Sequence, residues 1–260
     1  MNFRPCIDIH NGKVKQIVGS SLQDSNQSAL NNFISEKEAA DYAKLYEANN
    51  LKGGHIIILN KKGDSFYDAD LKMAVEALKA YPNGMQIGGG INDENAMFFI
   101  DNGASHVIVT SFVFKDGKIN YDNLNKLINN VGKERVVLDL SCKKASDGLY
   151  HIVTDRWQNF SDEILNEDLF YILSEKCDEF LIHAADVEGK QNGVDKDVLK
   201  ILADAVNSRP SLKITYAGGI HSYEDILLIK EEGRGLIDFT IGSSLDLFGG
   251  NLAFDKVINM

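Results

Sequence analysis

Eight short apolar runs recur along this 260-residue chain, and a stretch with helical spacing follows each of them. The runs are Cys6 to Ile9, His55 to Leu59, Met85 to Ile87, His106 to Val109, Arg135 to Leu140, Glu179 to His183, Leu212 to Tyr216 and Leu236 to Ile241. Strands that read as continuous apolar runs belong to a parallel sheet covered on both faces. Helices are predicted over Ala69–Ala80, Asp93–Asp101, Tyr121–Asn130, Glu167–Lys176, Lys196–Val206, Tyr223–Glu231 and Leu252–Ile258. Another follows Ser35-Glu36-Lys37-Glu38, which has the spacing of a capping box.

This alternation fits an α/β fold, a single (β/α)8 TIM barrel spanning residues 1–260. A doubly wound open sheet would carry a dinucleotide fingerprint after its first strand, and His10-Asn11-Gly12-Lys13 is not one. A half-barrel pseudo-repeat supports the barrel. Ile87-Gly88-Gly89-Gly90-Ile91 echoes Tyr216-Ala217-Gly218-Gly219-Ile220, and Cys6-Ile7-Asp8-Ile9 echoes Val137-Leu138-Asp139-Leu140. The stretch from Val107 to Phe112 likewise echoes Thr240 to Leu245. The pairs Gly89 and Gly218, Thr110 and Gly242, and Asp8 and Asp139 lie 129, 132 and 131 residues apart, close to half the chain.

In such a barrel the strands' C-terminal ends carry the active site, and phosphate commonly sits after strands 7 and 8. Gly218, Gly219, Gly242 and Ser243 fall there, and the repeat places Gly89, Gly90, Thr110 and Ser111 at the matching position after strands 3 and 4. Glycine lets backbone amides approach an anion, and a helix start offers N–H groups without needing a lysine. That matters here, because 27 basic against 38 acidic residues leave a net charge of −11. So acidic a chain is not expected to bind nucleic acid or an anionic membrane, and must hold any anion locally. Tight turns alone would explain either glycine pair; two pairs in matched places imply a bisphosphorylated small molecule.

Asp8 and Asp139 are carboxylates inside otherwise apolar strands, on opposite sides of the barrel between the two glycine sites. A single aspartate of this kind could simply bind barrel-end amides. Two facing each other suit acid–base catalysis, where unlike surroundings keep one protonated and the other ionised. The six histidines have no HxxxH or HxxEH spacing, so no metal site is expected. His183 and Asp186 end strand 6 and can line the mouth, although packing and turn roles explain them nearly as well. Trp157 lies in the polar segment Ser141 to Asn166, read as a loop long enough to fold over the mouth, with the indole either covering a flat heterocycle or anchoring the loop. A second polar stretch, Gly19 to Asn32, is also expected to be a functional loop.

Three cysteines without a CxxC pair suggest a reducing, cytoplasmic setting. No basic region followed by an apolar run opens the chain, and no apolar stretch approaches the length of a membrane span. A monomer is expected.

Taken together, Cys6-Ile-Asp-Ile-His-Asn-Gly-Lys-Val-Lys-Gln, Ile87-Gly-Gly-Gly-Ile-Asn, Val137-Leu-Asp-Leu-Ser-Cys-Lys-Lys, His183-Ala-Ala-Asp-Val-Glu-Gly, Tyr216-Ala-Gly-Gly and Ile241-Gly-Ser-Ser-Leu-Asp carry a resemblance over nearly the whole chain. The sequence resembles the phosphoribosylformimino-5-aminoimidazole carboxamide ribotide isomerases of histidine biosynthesis, in their eukaryotic form. The resemblance implies an Amadori rearrangement of an aminoaldose to an aminoketose, without cofactor or metal. It implies Asp139 as general acid on the furanose ring oxygen, Asp8 as the base taking the C2 proton, glycine pairs on two phosphates, and Trp157 over the substrate. The chain departs from the bacterial pattern at Ile58-Leu59-Asn60, where an acidic strand end is usual, at Ala185 in place of a threonine, and at Gln16 in place of an arginine. A cyclase barrel of the same pathway, working with a glutaminase, and a non-catalytic phosphometabolite-binding barrel are the alternatives.

Overall fold

The computed structural model describes residues 1–17, 31–155, 157–190 and 192–260. Eight parallel strands follow one another around a barrel: β1 (Cys6–His10), β2 (Gly54–Ile58), β3 (Met85–Gly88), β4 (Val107–Val109), β5 (Val136–Asp139), β6 (Glu179–His183), β7 (Ile214–Ala217) and β8 (Ile237–Phe239). Each pairs with its neighbours in sequence order, as in Asp8 opposite Ile57 and Asp139 opposite Leu181. The ring closes just ahead of β1. Phe3 bridges Phe239 in parallel, the Arg4 amide donates to the Phe239 carbonyl at 2.8 Å, and the Phe239 amide donates to Asn2 at 3.1 Å.

Between the strands run α1 (Ala39–Ala48), α2 (Tyr67–Ala80), α3 (Ala96–Asp101), α4 (Tyr121–Val131), α5 (Glu167–Leu173), α6 (Lys196–Ser208) and α7 (Tyr223–Glu232), with α8 (Phe254–Val257) after β8. Their apolar faces cover the outside of the sheet: Ala39, Tyr42, Ala43 and Tyr46 of α1 are buried, as are Leu124, Leu127 and Val131 of α4. No helix among the described residues is long and apolar enough to cross a membrane.

Strand side chains alternate between that outer core and the barrel interior. The interior is layered. At the floor, buried Glu179 accepts from Gln86 at 3.0 Å and Thr215 at 3.1 Å, with Arg4 4.0 Å away and paired to Asp238 at 2.7 Å. Above it Ile57, Ile108, Val137, Leu181 and Ala217 pack into a separate apolar cluster. Two residues further along the same strands come Asp139 and His183, at the mouth. Apolar packing thus separates one polar layer from the other.

Two expectations change on the structure. The helix α1 is capped by Glu38, whose reciprocal partner is Asp41, because the helix begins at Ala39; Ser35 instead accepts from the Lys37 amide at 2.8 Å and pairs with the Tyr42 hydroxyl at 3.0 Å. The polar stretch Gly19 to Asn32 lies outside the described residues except for its last two, which open a strand, Asn31–Ile34. That strand runs antiparallel to Lys13–Ile17, itself hairpinned onto β1.

Candidate active site

A cavity of about 460 Å³ opens at the C-terminal ends of the strands. Its wall includes Asp8, Gly89, Gly90, Thr110, Ser111, Asp139, Trp157, Gly218 and Gly242. Gly219, Ser243 and Asp186 stand outside that wall. Asp186 accepts the Lys144 amide at 3.0 Å, so it fastens a neighbouring segment rather than facing the cavity.

The two glycine pairs adopt the same backbone shape, with φ of 99° and 69° at Gly89 and Gly90 and of 124° and 72° at Gly218 and Gly219. These are conformations that L side chains rarely take. A Cβ at Gly89 would lie 2.0 Å from the Ile58 carbonyl oxygen and one at Gly219 2.0 Å from that of Gly193, whereas one at Gly90 would meet only open space. The helix starts that follow satisfy themselves. Asp225 accepts the amides of His221 and Ser222 ahead of α7, and Asn92 accepts those of Glu94 and Asn95 ahead of α3. Those amides are therefore already taken, while the glycine turns line the cavity wall. On the β2 side, Lys61 and Lys62 also line the cavity.

Asp8 and Asp139 differ in what surrounds them. Asp8 is held by one long bond from Gln16, at 3.4 Å. Removal from bulk water and the charge of Glu188 push its pKa up to about 7, against weaker pulls downward from His183 and Gln16. The glutamine supplies a donor but no positive charge. Burial alone would also raise Asp139. Its Oδ1, however, accepts from Ser141 at 2.8 Å and from His183 Nδ1 at 3.2 Å, and these groups, His183 foremost, hold it below the usual carboxylate range. His183 would be lowered by burial, but Asp139, Glu188 and Asp8 raise it to about 9, so it is an imidazolium at neutral pH. His55, 5% exposed and near that cation, is pushed down to about 3 and is neutral. Burial raises Glu188 as well, against the pull of His183.

The segment Ser141 to Asn166 is not a plain loop. It forms a three-stranded antiparallel sheet from Cys142–Lys144, Tyr150–Thr154 and Asn159–Ile164. In Tyr150–Thr154 the adjacent Ile152 and Val153 are both buried, so the strand has no regular alternation to set it apart from the polar sequence around it. Asp195 anchors the sheet through the Tyr150 hydroxyl at 2.8 Å, and Asp197 does so through Lys144 at 2.8 Å. Trp157 sits in the turn between its last two strands at φ 64°, its carbonyl accepting from Lys143 at 3.0 Å and its ring 6.1 Å from that of His183. The indole thus stands beside the acid cluster.

Sequence reasoning did not single out Glu188, His55 or Gln16 as cavity residues, and left His183 undecided. Period two was the available signal for the strand residues: His55 shares its face with Ile57, and His183 with Leu181, both inside the barrel. Glu188 follows its strand in a turn, its amide donating to the Ala184 carbonyl at 3.2 Å, where no periodicity reaches. At the β2 end, Asn60 exchanges hydrogen bonds with Asn11, donating at 3.0 Å and accepting from its amide at 2.8 Å.

The family described as "Histidine biosynthesis protein" matches residues 3–250. The chain belongs to that family. Among the relatives of this chain, one from Medicago truncatula is 49% identical over 99% of this chain and 81% of its own length. It is named 1-(5-phosphoribosyl)-5-((5-phosphoribosylamino)methylideneamino)imidazole-4-carboxamide isomerase, chloroplastic. Proteins named as the same isomerase in Saccharomyces cerevisiae and Yarrowia lipolytica are 44% and 43% identical, each over 96% of this chain and 94% and 93% of their own lengths. The fold common to the family is the barrel described above.

Proposed function

We propose that this chain is an isomerase of histidine biosynthesis, converting 1-(5-phosphoribosyl)-5-((5-phosphoribosylamino)methylideneamino)imidazole-4-carboxamide to its ribulosyl isomer by an Amadori rearrangement. Near-full-length identity to relatives bearing that isomerase name carries the reading. The site fits it. Matched glycine turns flank the cavity on opposite sides, as a substrate with a phosphate at each end requires, and Trp157 stands where a flat imidazole would stack.

In this reading Gly89, Gly90, Thr110 and Ser111 hold one phosphate, and Gly218 and Gly242, supported by Gly219 and Ser243, hold the other. Protonation of the furanose ring oxygen breaks its bond to C1, and the attached nitrogen forms an iminium. Asp8, partly ionised near neutral pH, takes the C2 proton and the electron pair of that bond neutralises the iminium as an enolamine. Return of a proton to C1 and loss of the enol proton give the ketone. Two proton transfers in each direction close the cycle, and the chemistry calls for neither metal nor cofactor. The general-acid role that the family resemblance gives Asp139 runs against its surroundings, because Ser141 and His183 hold its carboxyl ionised.

The test is a spectrophotometric isomerase assay on the purified protein, with and without a cyclase–glutaminase to draw off product. Turnover of the aminoaldose is expected. Ammonia-dependent cyclisation without isomerisation would instead make it the cyclase, and binding without turnover a phosphometabolite-binding barrel. A monomeric, cytoplasmic enzyme completes the proposal; its three cysteines are free and buried. Light scattering and cell fractionation check these points, the latter against the chloroplast named for the Medicago protein.

A further inference from the structure

His183 lies 3.2 Å from Asp139 of β5 and shares one cavity wall with Asp8 of β1 and Glu188 of the turn after β6, with the neutral His55 ring of β2 at 6.4 Å. Its Nδ1 is committed to an Asp139 oxygen that already accepts from Ser141. The Trp157 ring packs 6.1 Å from it. An imidazolium so surrounded gives up its proton only near pH 9, which makes it a poorer acid at neutral pH than a carboxyl group near 7. It is better suited to remain charged throughout.

We propose that His183 is a positioning residue, a fixed cation that orients Asp139 and compensates the negative charge shared among Asp8, Asp139 and Glu188. This rests on the isomerase reading. Its positive charge favours the ionised form of all three acids, so its removal moves each of them toward protonation. Asp139 would then no longer be held as a carboxylate, and Asp8 would be a base over a narrower range of pH.

The informative variant is His183→Gln, whose amide still donates to Asp139 but carries no charge. We expect kcat to fall about 10- to 100-fold with KM within about threefold, and the acidic limb of the kcat/KM profile to move upward by about one pH unit or more. A merely structural role would lower activity without moving that limb. An unmoved limb, or a His183→Gln variant with unchanged kcat, overturns the proposal. Should the variant not fold, a histidine NMR titration of the wild type decides without substrate: His183 is expected to stay protonated to about pH 9, and titration between 6 and 7 overturns the inference. Because that measurement needs no turnover, it separates failure of this inference from failure of the isomerase reading.

Discussion

Glu179 and Asp8 are both carboxylates inside the same barrel, one at its floor and one at its mouth, and their surroundings are opposite. Glu179 is 3% exposed, with donors at 3.0 and 3.1 Å and the Arg4 guanidinium beyond them. Among the described residues Asp8 has one donor, at 3.4 Å, opens onto the cavity, and shares a single imidazolium with two other acids. A buried carboxylate surrounded by donors serves the fold. One left short of donors takes up protons near neutral pH, as the proposed acid–base role of Asp8 needs, at a cost in stability.

Four substitutions probe this contrast. The largest effect belongs to the mouth: Asp8→Asn and Asp139→Asn should each lower kcat by about 10³-fold or more while leaving substrate affinity largely intact. Near-normal turnover in either variant would remove that residue from its role. At the floor, Glu179→Ala leaves Gln86 and Thr215 without their acceptor, and equilibrium unfolding should report a loss of about 3 kcal/mol with unchanged kcat per folded molecule.

Asp8→Asn should change stability in the opposite direction. Because the folded pKa is raised from 3.8 to about 7, Asp8 favours the folded state below pH ~4, and that contribution is lost as pH rises through 7. Denaturant titrations should find the variant more stable than wild type at pH 8 by about 2 kcal/mol, after allowing for water in the cavity, and nearly matched at pH 4. Equal stabilities at pH 8 would break the contrast between mouth and floor. The smallest change is expected at the rim, where Trp157→Ala should raise KM about tenfold, roughly 1.4 kcal/mol, with kcat little altered.

What could be read from the sequence follows from how far each signal extends. The run from Glu179 to His183 marks its strand to the residue, because Phe180, Leu181 and Ile182 between polar ends specify a buried parallel strand. The glycine pairs were legible because their repeat spans half the chain, and the structure gives them matching positive φ angles. The sheet around Trp157 was not, since the exposed face of Asn159–Ile164 reads like loop sequence. Glu188 was hidden for a different reason: its place depends on a turn and on what β1 and β6 bring beside it. Ser35 misled because a capping box is defined by where the helix begins, and that was set by Ala39 packing into the core.

Closure of the ring has a consequence in time. The bonds joining Asn2 and Arg4 to Phe239 link segments more than 230 residues apart, so the first strand waits on the last. During synthesis β1 to β7 can pair in succession as they emerge, but the edge of β7 and the stretch ahead of β1 that meets Phe239 stay open until β8 has appeared, and open edges invite pairing with other chains. Thr240 and Gly242, which follow β8, form cavity wall beside Asp8. The cavity is therefore among the last features of the molecule to exist, and a ribosome that stops short of residue 240 releases a chain with both aspartates and an unfinished cavity wall.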